Sequence, residues 1–174
     1  MSLSEASKVI ERLPEGWSKG QLQKAAAQHV RCAVVLRTSW YPEVMRPLAS
    51  SAREYLTEAG VLATRLHEIE VPGSFELPLA ASLAFDGLIT RISAKADIVI
   101  ALGCIVRGGT PHFDYVCSAT TQGLTQVQLK HQKALGFGVL TVDNLDQAMA
   151  RRNKGSEAAQ AALFMHLLGC GEAQ

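Results

Sequence analysis

The chain has 174 residues, a length that suits one domain better than two. It is 48% hydrophobic and 19% charged, the balance of a packed globular protein and not of a disordered one. Lys plus Arg number 17 against 16 Asp plus Glu, and this net charge of +1 excludes a nucleic-acid binder with a broad basic face and a polybasic membrane anchor.

Residues 1–29 mix Glu5, Glu11 and Glu15 with Lys8, Arg12, Lys19 and Lys24, and Pro14, Gly16 and Gly20 break them up. They lack the apolar stretch of a signal peptide and are too acidic for a transit peptide. They are expected to carry little core material, as an extension lying on a surface, with a single domain over residues 30–174. The β-branched run Val30–Leu36 predicts a strand buried on both faces. A helix is expected over 43–59, with Pro47 in its first turn and Gly60 as its stop. Val61–Val71 predicts a second strand ended by Pro72-Gly73, and 76–93 a helix. Asp97–Leu102 is a third strand, Gly103 to Pro111 a loop, Asp114–Lys133 a helix and Phe137–Val142 a fourth strand. Asn144 with Gln147 three positions on has the form of a capping box for a short helix. A last helix runs from about Ser156 to Leu168.

Strands that alternate with helices imply parallel pairing and right-handed crossovers. The predicted fold is therefore α/β: a three-layer α/β/α sandwich around a four-stranded parallel sheet, with flavodoxin-like layering. Ligands in such sheets bind beyond the carboxyl ends of the strands. That rule singles out the loops at 37–42, 72–76 and 103–113. No apolar run approaches the roughly 20 residues that cross a bilayer, so no membrane partner is expected. Cys32, Cys104, Cys117 and Cys170 form no C-x-x-C pair and share no zinc-ligand spacing with histidine. They are expected to be reduced thiols in a cytoplasmic protein, with no metal bound.

The third loop joins Gly103, Gly108, Gly109 and Thr110 to a helix start. Glycines let backbone N–H groups approach an anion, and the helix start adds positive potential. The loop is not a P-loop, since glycine 109 stands where that motif needs lysine; nucleotide hydrolysis is disfavoured and phosphate binding favoured. His112 follows directly, and its unperturbed pKa near 6.5 suits proton transfer at neutral pH. Trp40, beyond the first strand, can stack on a flat heterocycle or pack as a rim residue. The extended backbone of Pro72-Gly73-Ser74-Phe75-Glu76 can hydrogen-bond a polyhydroxylated ligand, although Glu76 also suits a helix start by charge alone.

Together these segments resemble the lumazine synthase family of riboflavin biosynthesis. The resemblance rests on VPGSFELP at 71–78, ALGCIVRGGTPHFDYV at 101–116, FGVLT at 137–141 and NKGSEAA at 153–159. It implies that Trp40 stacks on a pyrimidine ring and that Ser74, Phe75 and Glu76 hold the ring and its ribityl chain. Cys104, Ile105 and Val106 match backbone positions beside the pyrimidine, and Gly109 and Thr110 match a phosphate-binding turn. His112 matches the proton-transfer histidine. Phe137 matches an aromatic lent by the adjacent subunit, Arg151 the phosphate-binding arginine, and Lys154 a lysine near the ribityl chain.

The chain departs from the family pattern in three places. Ser39-Trp40-Tyr41 replaces a usual Arg-Phe-Asn or Arg-Trp-Asn, extra residues sit near 86–96, and the connection from Arg151 to Lys154 is shorter. Arg152 is thus an alternative anion ligand. Parallel topology puts the third and fourth loops on one sheet edge, where Arg151 can converge with Gly109 and Thr110 on a phosphate.

The implied reaction condenses 5-amino-6-(D-ribitylamino)uracil with 3,4-dihydroxy-2-butanone 4-phosphate and needs no metal or organic cofactor. The implied partners are these two small molecules, further copies of the chain in pentamers or larger shells with sites between subunits, and riboflavin synthase as a candidate. Two other readings stand beside it: a non-catalytic ribityl-pyrimidine binder or shell protein, and a degenerate P-loop enzyme.

Overall fold

The computed structural model describes residues 17–172. Its elements run α1 (Lys19–His29), β1 (Ala33–Thr38), α2 (Pro42–Glu58), β2 (Leu66–Val71), α3 (Leu77–Asp86), β3 (Ile98–Val106), α4 (His112–His131), β4 (Ala134–Val142), α5 (Leu145–Ala150) and α6 (Lys154–Gly169). Short 3-10 turns at Ala63–Arg65 and Ser74–Glu76 precede β2 and α3. The strands form one parallel sheet in the order β2-β1-β3-β4. Helices cover both faces, so the sheet is the middle layer of the expected three-layer sandwich.

Side chains alternate across each strand and divide between two cores. Ala33 and Val35 of β1 and Ile98, Ile100 and Leu102 of β3 face the layer of α1, α2 and α6. Val34 and Leu36 of β1 and Val99 and Ala101 of β3 face α3 and α4. Both faces are buried, which is why β1 and β3 read as unbroken apolar runs.

Several boundaries differ from the sequence expectation. Residues 19–29 do carry core material: α1 begins with a capping box between Ser18 and Gln21 and buries Leu22, Ala25 and Ala26 in the core shared with α2 and α6. The earlier part of the expected extension, residues 1–16, lies outside the described residues. Pro47 stands in the second turn of α2, which begins at Pro42. The strand expected from Val61 starts at Leu66, after the 3-10 turn. The helix expected to reach 93 stops at Asp86, because Gly87 takes a left-handed conformation. There its N–H bonds to the Ala84 carbonyl and the N–H of Leu88 reaches back to Leu83.

β3 continues to Val106, through the segment expected to be loop. Gly103 is thus a strand residue. A Cβ there would lie 2.6 Å from Ser74 Oγ, so its role is to admit the Ser74 turn against the sheet. In the last layer Asn144 accepts from the N–H of Gln147 (3.0 Å), while Gln147 Oε1 accepts from the N–H of Asp143 (3.0 Å), a cap shifted by one residue from the expected box. α6 opens with Gly155 pressed on α2, where a Cβ would overlap the Leu48 carbonyl oxygen.

Candidate active site

In this strand order the chain leaves β1 toward β2 on one side and returns to β3 on the other. The switch point lies between β1 and β3, and the three loops singled out from the sequence meet at its carboxyl edge. They enclose an open cleft of about 350 Å³.

The first loop is fastened to the second. Ser39 donates its N–H to the Val71 carbonyl (3.0 Å) and its hydroxyl to the Pro72 carbonyl (2.8 Å). This holds Trp40 beside Gly73: a Cβ on Gly73 would lie 3.7 Å from Trp40 Nε1 and 3.0 Å from Glu76 Oε2. The indole is 65% exposed, so its face is available to a ligand. In the second loop Ser74 is buried, and its carbonyl accepts the Thr120 hydroxyl (3.1 Å), which ties the turn to α4. Phe75 remains exposed, and Glu76 lines the cleft while making no side-chain cap to α3.

β3 supplies the floor through Cys104, Ile105 and Val106, and Gly108, Thr110 and His112 form the far wall. His112 is the first residue of α4. Burial pushes the Cys104 thiol up to about 11, and the charge of Glu43 adds to the effect. Cys104 is therefore a neutral, weakly nucleophilic floor residue at physiological pH.

The cleft thus brings together Trp40, Ser74, Phe75, Glu76, Cys104, Ile105, Val106, Thr110 and His112. Gly109 sits in the same loop, one residue from Gly108 and Thr110, but does not line the cleft of this chain. Three other expected residues also lie outside it. Phe137 lies on the α3–α4 face of β4, level with Ala101 in the register, and is 45% exposed. Arg151 follows α5 and donates from Nη1 back to the Gln147 carbonyl (3.0 Å). Lys154 pairs with Glu157 (2.7 Å). Arg151 is thus absent from the lining of its own chain's cleft, and its guanidinium turns back along α5 to the Gln147 carbonyl.

Tyr41, Gly73 and Gly108 also line the cleft, each inside a loop singled out from the sequence, and Phe113 and Val116 join them from α4 without having been expected there. Helical periodicity points to Val116, four residues from His112 and three from Phe113 on the first turns of α4. Arg107 is a further addition. It spans Asp143 (Nε, 3.1 Å) and Asp114 (Nη1, 3.4 Å), bracing the loop just outside the cleft.

Residues 29–169 match the family profile described as 6,7-dimethyl-8-ribityllumazine synthase. The chain is 49% identical over 142 residues to the 6,7-dimethyl-8-ribityllumazine synthase of Kineococcus radiotolerans, covering 77% of this chain and 81% of that protein. It is 45% identical to the enzyme of the same name from Kocuria rhizophila (79% and 85% covered) and 46% identical to that of Clavibacter michiganensis subsp. michiganensis (77% and 82%). A matching profile over most of the chain, on a parallel sheet whose three loops form a single cleft, means that this protein belongs to the 6,7-dimethyl-8-ribityllumazine synthase family.

Proposed function

We propose that the cleft between β1 and β3 is where this chain joins 5-amino-6-(D-ribitylamino)uracil to 3,4-dihydroxy-2-butanone 4-phosphate. The products are 6,7-dimethyl-8-ribityllumazine, phosphate and water, and the enzyme is a transferase of riboflavin biosynthesis. The observation that carries the placement is the meeting of Trp40, the Ser74–Glu76 turn, the end of β3 and His112 in one cleft.

In this reading the pyrimidine lies on the Trp40 indole against the backbone of Cys104, Ile105 and Val106. Ser74, Phe75 and Glu76 hold the ring and the ribityl chain. Gly109 and Thr110, at the turn into α4, receive the phosphate. The amine attacks the ketone, water leaves to give an imine, phosphate is eliminated, and the ring closes with loss of a second water. His112 moves the protons. Holding the two substrates side by side contributes on the order of 7–11 kcal/mol of effective concentration, and a positioned acid–base adds about 10²–10⁴ in rate.

Phe137, Arg151 and Lys154 complete the site from an adjacent copy, the arginine gripping phosphate with its planar fork. Their exposure outside the cleft of their own chain supports this. So does the apolar surface elsewhere, with Tyr115, Leu129, Met165 and Leu168 all more than half exposed. The assembly is read as a pentamer. Cytoplasmic placement is inferred from four free cysteines among the described residues, none of whose helices is long and apolar enough to cross a membrane.

The test is to mix the two substrates with the protein and follow lumazine fluorescence, with His112→Ala in parallel. The expected result is product formation that falls about ten- to a thousand-fold in the variant, with ribityl-pyrimidine binding retained. Wild-type turnover in His112→Ala would remove this histidine from the proton-transfer role.

A further inference from the structure

We propose that Tyr41 is a positioning residue, one that fixes the aromatic wall against which the pyrimidine substrate lies. The inference rests on the reading of the cleft given above. Among the described residues only Tyr41 and Gln132 combine a side chain with positive φ. Gln132 caps the carboxyl end of α4, an ordinary place for left-handed backbone. Tyr41 stands at the amino end of α2 with φ 55° and ψ 62°, where caps are normally extended. It also precedes Pro42, whose ring drives the residue before it toward extended backbone. Two independent preferences are thus violated at one residue.

The surrounding structure enforces the conformation. The Tyr41 carbonyl accepts the N–H groups of Val44 (2.9 Å) and Met45 (3.0 Å), and Ser39 is bound on the other side to Val71 and Pro72. The result is a reversal from β1 into α2 within three residues. It leaves the Trp40 indole exposed over the cleft. It also sets the Tyr41 ring half-buried on the core of the α2–α6 layer while still lining the cleft. The two rings lie 6.4 Å apart, tilted by 49°, within the distance range of interacting aromatic pairs. An exposed indole has several rotamers open to it, and a neighbour anchored on the core restricts them. Asparagine or glycine would take this backbone with less strain. A bulky aromatic ring held here against its preference is accounted for by what it does in the cleft.

The experiment is steady-state kinetics on the intact assembled enzyme, varying each substrate in turn, with Tyr41→Phe, Tyr41→Asn, Tyr41→Ala and a Trp40→Ala reference. The Asn and Ala variants should raise KM for the ribitylaminouracil about three- to tenfold, the Phe variant less than about twofold, and none should move KM for the butanone phosphate. Both Asn and Ala remove the ring, but only Asn tolerates left-handed backbone, so Tyr41→Asn should melt at a higher temperature than Tyr41→Ala. If Trp40→Ala is impaired while Tyr41→Asn keeps its pyrimidine KM, the inference about Tyr41 is overturned and the reading of the cleft stands. If Trp40→Ala is itself unimpaired, that reading is what fails. Equal melting of the Asn and Ala variants would overturn the conformational half of the argument.

Discussion

Arg107 lies over the ring of Phe113, with its guanidinium carbon 4.1 Å from the ring centroid. Its nitrogens reach Asp143, at the end of β4, and Asp114, in the first turn of α4. One exposed side chain therefore links the end of β3, the β4–α5 junction and the turn that carries His112. Exposed ion pairs add little to stability, but a catalytic group displaced by about 1 Å can lose 10²-fold in rate. Arg107→Leu is expected to lower the melting temperature by less than about 3 °C while lowering kcat/KM about tenfold. Differential scanning fluorimetry beside steady-state kinetics checks this, and a large fall in melting temperature would reduce Arg107 to a structural brace.

Arg151 and Arg152 can be separated kinetically. Both lie in the exposed turn after α5, but Arg151 is oriented by its bond to the Gln147 carbonyl. Arg151→Ala should raise KM for the phosphate substrate by about ten- to a hundredfold, as expected for one or two charge-assisted hydrogen bonds. KM for the pyrimidine should change little. Should Arg152→Ala show the larger effect, the shortened connection has moved the register of the anion ligand.

Phe137 offers a test of sites shared between chains. Two defective proteins, His112→Ala and Phe137→Ser, would be unfolded and refolded together. If each site takes histidine from one chain and phenylalanine from its neighbour, random assembly restores about a quarter of the sites. If both residues serve their own chain, no mixture exceeds the mean of its parents. Fluorescence of the product decides between these.

Cys104 makes a prediction about pH. Its folded-state thiol titrates near 11, above the ordinary 9.0, so the folded protein holds this proton more tightly than the unfolded chain. The resulting stability is fully present below pH 9 and is lost as pH rises through 11. Wild type should lose more stability across that window than Cys104→Ala, as measured by chemical denaturation. At about pH 8 a maleimide or iodoacetamide label should modify exposed Cys170 and spare Cys104, which peptide mass mapping reads directly.

The sheet was legible because β1 and β3 are buried on both faces, so their apolar runs are continuous. The errors have local causes. Gly103 looks like the start of a loop, but it is a strand residue made small by the close approach of Ser74. Apolar residues beyond Gly87, among them Leu88, Ile89 and Ile92, continue the helical pattern although the backbone has already turned. α1 hides its three buried residues in an otherwise polar stretch, because a helix laid on the rim of the core needs only a narrow apolar stripe. At the site, motifs within one loop located Trp40, the Ser74–Glu76 turn and His112. The left-handed conformation of Tyr41 left no trace, since it arises from the bonds around it and not from tyrosine itself. Arg151 was indicated by the family resemblance and by topology, and neither says which way α5 points a side chain.

The turn at Arg151–Asn153 is held at both ends by contacts that do not depend on its length. Upstream, the side chains of Asn144 and Gln147 fasten the start of α5; downstream, Gly155 rests against the Leu48 carbonyl. The residues between are exposed. Extra residues there would disturb neither core, and closing a longer loop costs only about 0.6 kcal/mol for each doubling of its length. Evolution can trim or extend the chain at this point without repacking either core, and a peptide inserted after Arg152 should leave the fold of the domain unchanged while moving Arg151 relative to Lys154.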